Sequence, residues 1–222
     1  MLKECSRWSG KSTFLVFAAI LQINLTHPYA AVFWDESLNG DLSNSRSSPS
    51  PFTLENGVNS LSGSLDGTTD PQDWITLTVP VGFQLSSLTL VSYTSTDAQG
   101  FTGVQSGSVF VGNPQTASPY LGYAHFGKGA QNGSLPTANL IGVDILPIMG
   151  NTSAAPGSQG FTPPLAAGDY AFLIQQTGAS TSYQFDYGVT AVPEPSSQAA
   201  IAILCAAAYL LKRRLSRNSQ RT

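Results

Sequence analysis

Between Ser182 and Val192 the chain reads SYQFDYGVTAV, with Tyr183, Phe185, Tyr187 and Val189 at every second position. Side chains of a strand alternate between two faces, so this spacing gathers three aromatics and a valine on one face. Helical geometry would scatter them around the axis. Short runs of similar character occur along much of the chain: PFTLENG, NSLSGSL, WITLTVP, FQLSSLTLVSY, GSVFVG, NLIGVDIL and DYAFLIQQTG. Phe83 and Leu85, then Leu88 and Leu90, repeat at spacing two, and each run is bounded by Gly, Pro, Asn or Asp. The pattern predicts an all-β fold of roughly eight to ten short strands, an antiparallel β-sandwich or jelly roll. NPQTASPY and PIMGNTSAAPGSQGFTPPLAAG read as loops.

Composition supports a folded domain with an unusual surface. Charged residues are 10% of the chain, against about 25% in ordinary soluble proteins. Hydrophobic residues at 41% and aromatics at 10% argue against disorder. The formal charge of −3 conceals segregation. Residues before Ala31 carry a net +2 and residues after Pro195 a net +5, while the stretch between them carries −10. Its two bases are Arg46 and Lys128. An acidic domain repels phosphate backbones, which excludes nucleic acid as an expected partner and favours cations or basic partners. The two cysteines, Cys5 and Cys205, lie in the terminal segments, so a disulfide or thiolate site inside the middle domain is excluded.

The ends read as targeting elements. Lys3, Arg7 and Lys11 precede the apolar stretch FLVFAAILQINL, and HPYAAV follows. A basic leader, a short apolar core and small residues near Ala30 form the pattern of a secretory signal peptide over residues 1–30, expected as a signal helix. Residues 31–191 are then the acidic β-sandwich. After it come Pro193-Glu194-Pro195, the uncharged run AAIAILCAAAYLL, and Lys212, Arg213 and Arg214. The prolines bias the triplet toward extended backbone. A single membrane-spanning helix over 198–211 is expected. The segment beginning at Ser196 reaches about 24 Å as a helix, short of the ~30 Å hydrocarbon layer. Local thinning and snorkelling of the basic cluster close that gap. Lys212, Arg213 and Arg214 stop transfer and hold the tail 212–222 on the cytoplasmic side.

Taken in order, Val192-Pro193-Glu194-Pro195-Ser196, the apolar run and the basic cluster resemble the PEP-CTERM sorting signal of Gram-negative bacteria, over residues 192–222. The resemblance implies recognition by an exosortase, a membrane transpeptidase that cuts near the triplet. The product then passes to the cell surface or an extracellular exopolysaccharide matrix. More loosely, SGSLDGTTDPQDWITLTVPVGFQLSSLTL and LAAGDYAFLIQQTG followed by SYQFDYGVTAV resemble bacterial pre-peptidase C-terminal-type sandwich domains. Those are accessory secreted modules without catalytic activity of their own.

Candidate chemistry is sparse. Asp66, Asp70 and Asp73 lie on a Gly/Thr/Pro-rich turn and offer oxygen ligands for Ca²⁺. The same residues also serve as ordinary turn formers, bonding nearby amides. Asp35, Glu36 and Asp41 form a second acidic group, read as solvated charge. His125 is the histidine well inside the domain, but no Gly-x-Ser-x-Gly elbow accompanies it. Asn132-Gly133-Ser134 and Asn151-Thr152-Ser153 match glycosylation sequons. Trp34, Tyr120, Tyr123 and Phe126 could stack on sugars but suit a core better at strand spacing. The expectation is a non-catalytic structural or interaction protein of the envelope or matrix, without catalytic residues or a required cofactor. The alternative is a Ca²⁺- or polysaccharide-binding module using the Asp66–Asp73 turn. A third reading is a secreted hydrolase built around His125.

Overall fold

The chain's first six strands alternate between two facing sheets. The computed structural model describes residues 31–193. The strands are β1 (Ala31–Asp35), β2 (Ser50–Thr53), β3 (Gly57–Leu65), β4 (Gln72–Val79), β5 (Phe83–Ser95) and β6 (Gln99–Ser106), followed by β7 (Gly122–Gly127), β8 (Gly168–Gln175) and β9 (Thr181–Ala191). Two single-turn helices, α1 (Glu36–Asn39) and α2 (Leu146–Gly150), interrupt them. One sheet has the order β1-β3-β9-β5 and the other β2-β4-β8-β6-β7. The all-β expectation holds. The purely antiparallel expectation does not: β1 pairs with β3, and β2 with β4, in parallel. The physical reason lies in the alternation. Two successive crossings between sheets restore the strand direction, so these neighbours along one sheet run the same way.

Among the described residues no helix is long and apolar enough to cross a membrane. The signal helix at 1–30, the spanning helix at 198–211, Glu194, Pro195, Ser196, Lys212, Arg213 and Arg214 lie outside the described residues.

The core forms where the inward faces meet. On β9, Tyr183, Phe185, Tyr187 and Val189 are all buried, as their spacing predicts. They face Ile75, Leu77 and Val79 of β4 and Phe172 and Ile174 of β8 within one cluster. Phe185 and Phe126 pack edge to face with centroids 5.0 Å apart, a geometry that adds to simple area burial. The period-two pattern of β5 breaks twice. The inward residues are Leu85, Leu88, Leu90 and Tyr93, and the register shifts between Leu85 and Ser87 and between Leu90 and Ser92. Each break is a bulge, where an extra residue resets which face the next side chain takes. Between β4 and β5 the chain changes sheet at Pro80-Val81-Gly82, closed by Phe83 N–H donating to the Pro80 carbonyl at 3.1 Å. Gly82 supplies the positive φ of 85° that this turn requires.

Two expected strands are absent from the ladders. GSVFVG is a loop that lies over the outer face of the five-stranded sheet. There Phe110 joins Trp74, Tyr120, Ala171 and Leu173 in a second small core. NLIGVDIL turns at Ile141-Gly142, bonds to β5 at isolated positions and then enters α2. Gly142 N–H donates to Leu90 O at 2.7 Å and Ile145 N–H to Leu88 O at 2.8 Å. Conversely, β6 was hidden by its glycines. Gly100 and Gly103 break the alternation because the Phe126 and Tyr120 rings lie against them; a Cβ at Gly103 would stand 2.4 Å from the Tyr120 ring.

Truncating the centre of this core tests its weight. Phe185→Ala removes a fully buried ring and is expected to lower unfolding free energy by about 3–5 kcal/mol in denaturant titration.

Candidate functional site

Strand β4 carries the anomaly of the fold. Its inward residues are Asp73, Ile75, Leu77 and Val79, all buried. The first is a carboxylate, 0% exposed, at a position the others fill with hydrocarbon. One of its oxygens, Oδ2, accepts from the Tyr183 hydroxyl at 2.6 Å, an inter-sheet bond from β9. Tyr183 reaches it by lying across Gly63, its cross-strand partner on β3. A Cβ at Gly63 would stand 2.3 Å from that hydroxyl, so glycine is what leaves room for the bond. The other oxygen, Oδ1, is buried and has no hydrogen-bond partner among the described residues.

The segment from α1 to β2 brings two more carboxylates to this point. Asp35 caps α1, accepting from Ser37 N–H at 2.9 Å. That turn places Glu36 against β3. Its Oε1 accepts from Leu42 N–H at 3.0 Å, and its Oε2 from Ser64 N–H at 2.6 Å and Ser64 Oγ at 3.2 Å. Leu42 is buried, which pins the loop. Just beyond, Trp74 N–H donates to Ser43 O at 2.8 Å, laying the loop along β4. Asp41 is thereby held beside Asp73. Glu36, Asp41 and Asp73 each offer a carboxylate oxygen, and these atoms all lie within 4.8 Å of one another. Among the described residues this is the group of three or more potential metal-ligating side chains that converges so closely.

The electrostatics follow from burial and like charge. Asp73 is pushed up to about 8, first by burial and then by repulsion from Glu36, with Asp70 and Asp41 adding to it; the Tyr183 hydrogen bond works the other way. Glu36 is raised mainly by burial, against its hydrogen bonds to Ser64 and Leu42. Burial also raises Asp70, opposed by its hydrogen bond to Asn44. Chemically, three close carboxylates can share protons or chelate a divalent cation through oxygen.

The acids singled out from the sequence divide differently. Asp66, Asp70 and Asp73 do not converge as a trio. Asp66 is spent on its own turn: its Oδ1 accepts from Thr68 N–H at 2.9 Å and Thr69 N–H at 3.3 Å, which holds its carboxyl below the usual range. Asp66 and Asp70 exchange backbone hydrogen bonds at 2.8 and 3.0 Å, closing the hairpin. Asp73 faces away into the sandwich. Glu36 is half-buried and hydrogen bonded, so its reading as solvated charge is corrected. Asp73 had a usable signal in its parity with Ile75, Leu77 and Val79. The approach of Glu36 and Asp41 had none, because it depends on how the N-terminal loop crosses two strands.

The remaining candidates resolve into structure. His125 Nδ1 lies 2.9 Å from Gln131 O, and its ring packs on Phe101 at 5.7 Å. Burial holds its basicity down. Asn132 is buried, accepting from His125 N–H at 2.7 Å and donating to His125 O at 3.0 Å. That sequon asparagine is therefore committed to the fold, while Asn151 accepts from Ser153 N–H at 2.9 Å. Tyr120 and Phe126 are buried, whereas Trp34 and Tyr123 are partly buried. Val192 extends the β9 end by donating its N–H to Gly82 O at 2.8 Å, and Pro193 is exposed. No protein-family model matches the chain, and no curated protein matches it.

A buried carboxylate with a raised folded-state value is a penalty that grows with pH. Below its ordinary 3.8 the unfolded chain is protonated too and the penalty is absent; between 3.8 and about 8 only the folded state holds the proton. In chelating buffer, the thermal midpoint is expected to fall as pH rises through this window. Asp73→Asn should flatten that profile in differential scanning calorimetry.

Proposed function

We propose that this chain is the precursor of an exported, non-catalytic interaction domain of the cell surface or extracellular matrix, sorted by an exosortase-type membrane transpeptidase. The observation that supports it most is the placing of the tail. The last strand, β9, is paired on both sides, with β3 and β5, and the Pro-Glu-Pro triplet begins two residues after its end at Ala191. A pull on the tail then loads the hydrogen bonds of a central strand along its length, which suits an anchored protein. The triplet itself follows the sandwich closely enough for a membrane enzyme to grip extended chain beside a folded domain. After cutting, the spanning segment and its basic cluster stay behind in the bilayer, and the sandwich joins the surface or matrix.

Beside its acidic groups the domain is rich in Ser, Thr and Asn, whose hydroxyls and amides suit hydrogen bonding to a partner such as exopolysaccharide. The interaction reading is favoured over hydrolysis by the surroundings of His125. Its Nδ1 faces a backbone carbonyl, whereas an orienting carboxylate is what a nucleophilic triad needs there.

Expression in a host carrying the sorting system tests this. Mass spectrometry of the surface form is expected to lack Thr222 and to end near Pro193–Pro195. Deleting residues 193–222 is expected to release soluble protein. A surface form with Thr222 intact would overturn the processing.

A further inference from the structure

The structure assigns a divalent-cation site to Glu36, Asp41 and Asp73, and the chemistry of its donors points to Ca²⁺. Three carboxylates in proximity are common on acidic proteins and establish nothing alone. The second observation is Asp73. It is 0% exposed, and its Oδ1 has no hydrogen-bond partner among the described residues. A carboxylate oxygen left without a partner in a buried place is costly. A cation bound to Oδ1 pairs it.

Side-chain cations do not do the work instead. The bases in the described stretch are Arg46 and Lys128. Arg46 donates to the Gly112 carbonyl. Lys128 follows β7, at the edge of its sheet remote from β4. The carboxylate oxygens of Glu36, Asp41 and Asp73 stand within 4.8 Å of one another, and a doubly charged ion relieves the repulsion between such like charges.

The donor set selects the ion. All three ligands are carboxylate oxygens, the hard donors of Ca²⁺, with none of the His or Cys that Zn²⁺ takes. Oxygens bound at 2.3–2.6 Å to one Ca²⁺ stand at most about 5 Å apart, which the 4.8 Å limit on these three satisfies. Glu36 uses its two oxygens on Leu42 and Ser64, but a carboxylate has about four lone-pair sites, so it retains capacity for an ion. Asp41 is exposed and closes the site from the solvent side. A cleft lined by Glu36, Asp41, Ser64 and Tyr183 opens beside two of the three carboxylates. Glu36 comes from α1, Asp41 from the following loop and Asp73 from β4. The ion therefore staples the first segment of the domain to the sandwich.

The site stands apart from how the tail is processed, and its test uses the full-length chain in detergent, stripped with chelator. Adding CaCl₂ to ~10 mM, above the weak end of extracellular calcium modules, is expected to raise the thermal midpoint by about 3–6 °C. Calorimetric titration with CaCl₂ should show a saturating heat. Asp73→Asn is expected to raise the metal-free midpoint, since a neutral amide replaces the buried carboxylate, and to abolish the response to Ca²⁺. Asp41→Asn, at an exposed position, removes one of the repelling charges, so it should not lower the metal-free midpoint, and it should weaken Ca²⁺ binding at least tenfold. Asp66→Asn should retain the full response. The assignment is overturned if Ca²⁺ produces neither heat nor shift in the unmodified chain, if Asp41→Asn binds as tightly as the parent, or if Mg²⁺ at equal concentration gives the same shift.

Discussion

The sandwich depends on the inward face of β9. Tyr183, Phe185, Tyr187 and Val189 are buried between the sheets, and the same strand is paired on both edges. A strand in that position has no edge left for water and one face wholly buried, so its sequence is dictated by packing on that face and by pairing along its length. Everything near the candidate site refers back to it. Tyr183 lies over Gly63 and reaches Asp73 on the opposite sheet, so one side chain joins the core to the acidic cluster.

This explains which parts of the fold were legible. Where apolar residues alternate, as on β9 and through Ile75, Leu77 and Val79 of β4, or run unbroken between turn residues, as on β8, the strand was evident from the residues. Along β5 the alternation failed at two places, and each failure corresponds to a bulge. On β6 glycines erased the pattern, since the apolar surface over Gly100 and Gly103 is supplied by rings from Phe126 and Tyr120. GSVFVG misled for the converse reason. Its Phe110 is buried by Trp74 and Tyr120 on the outer face of a sheet, not by a ladder of its own. Local periodicity reports burial, and burial does not require a strand.

The acidic cluster was half legible by the same reasoning. An aspartate in step with Ile75, Leu77 and Val79 occupies a core position, and that parity is visible in QDWITLTV. Its partners Glu36 and Asp41 come from a loop whose path is fixed by Leu42 burying itself and by Ser43 bonding Trp74. Such long-range placement has no periodic trace. The Asp66–Asp70 turn was legible as a turn, and its chemistry is that of a turn: backbone amides consume the carboxylate that a ligand would need.

The segment beside β5 covers what would otherwise be an open sheet edge. β5 is thirteen residues long and lies at the end of its sheet, the arrangement by which one molecule can template another. Here Gly142, Val143 and Ile145 occupy the backbone groups of Leu88 and Leu90, Asp144 accepts from Leu88 N–H, and Leu165 pairs with Leu85. The two bulges bend what remains. Two copies that meet along this margin therefore find few free backbone groups there, and zipping strand to strand into fibrils is discouraged.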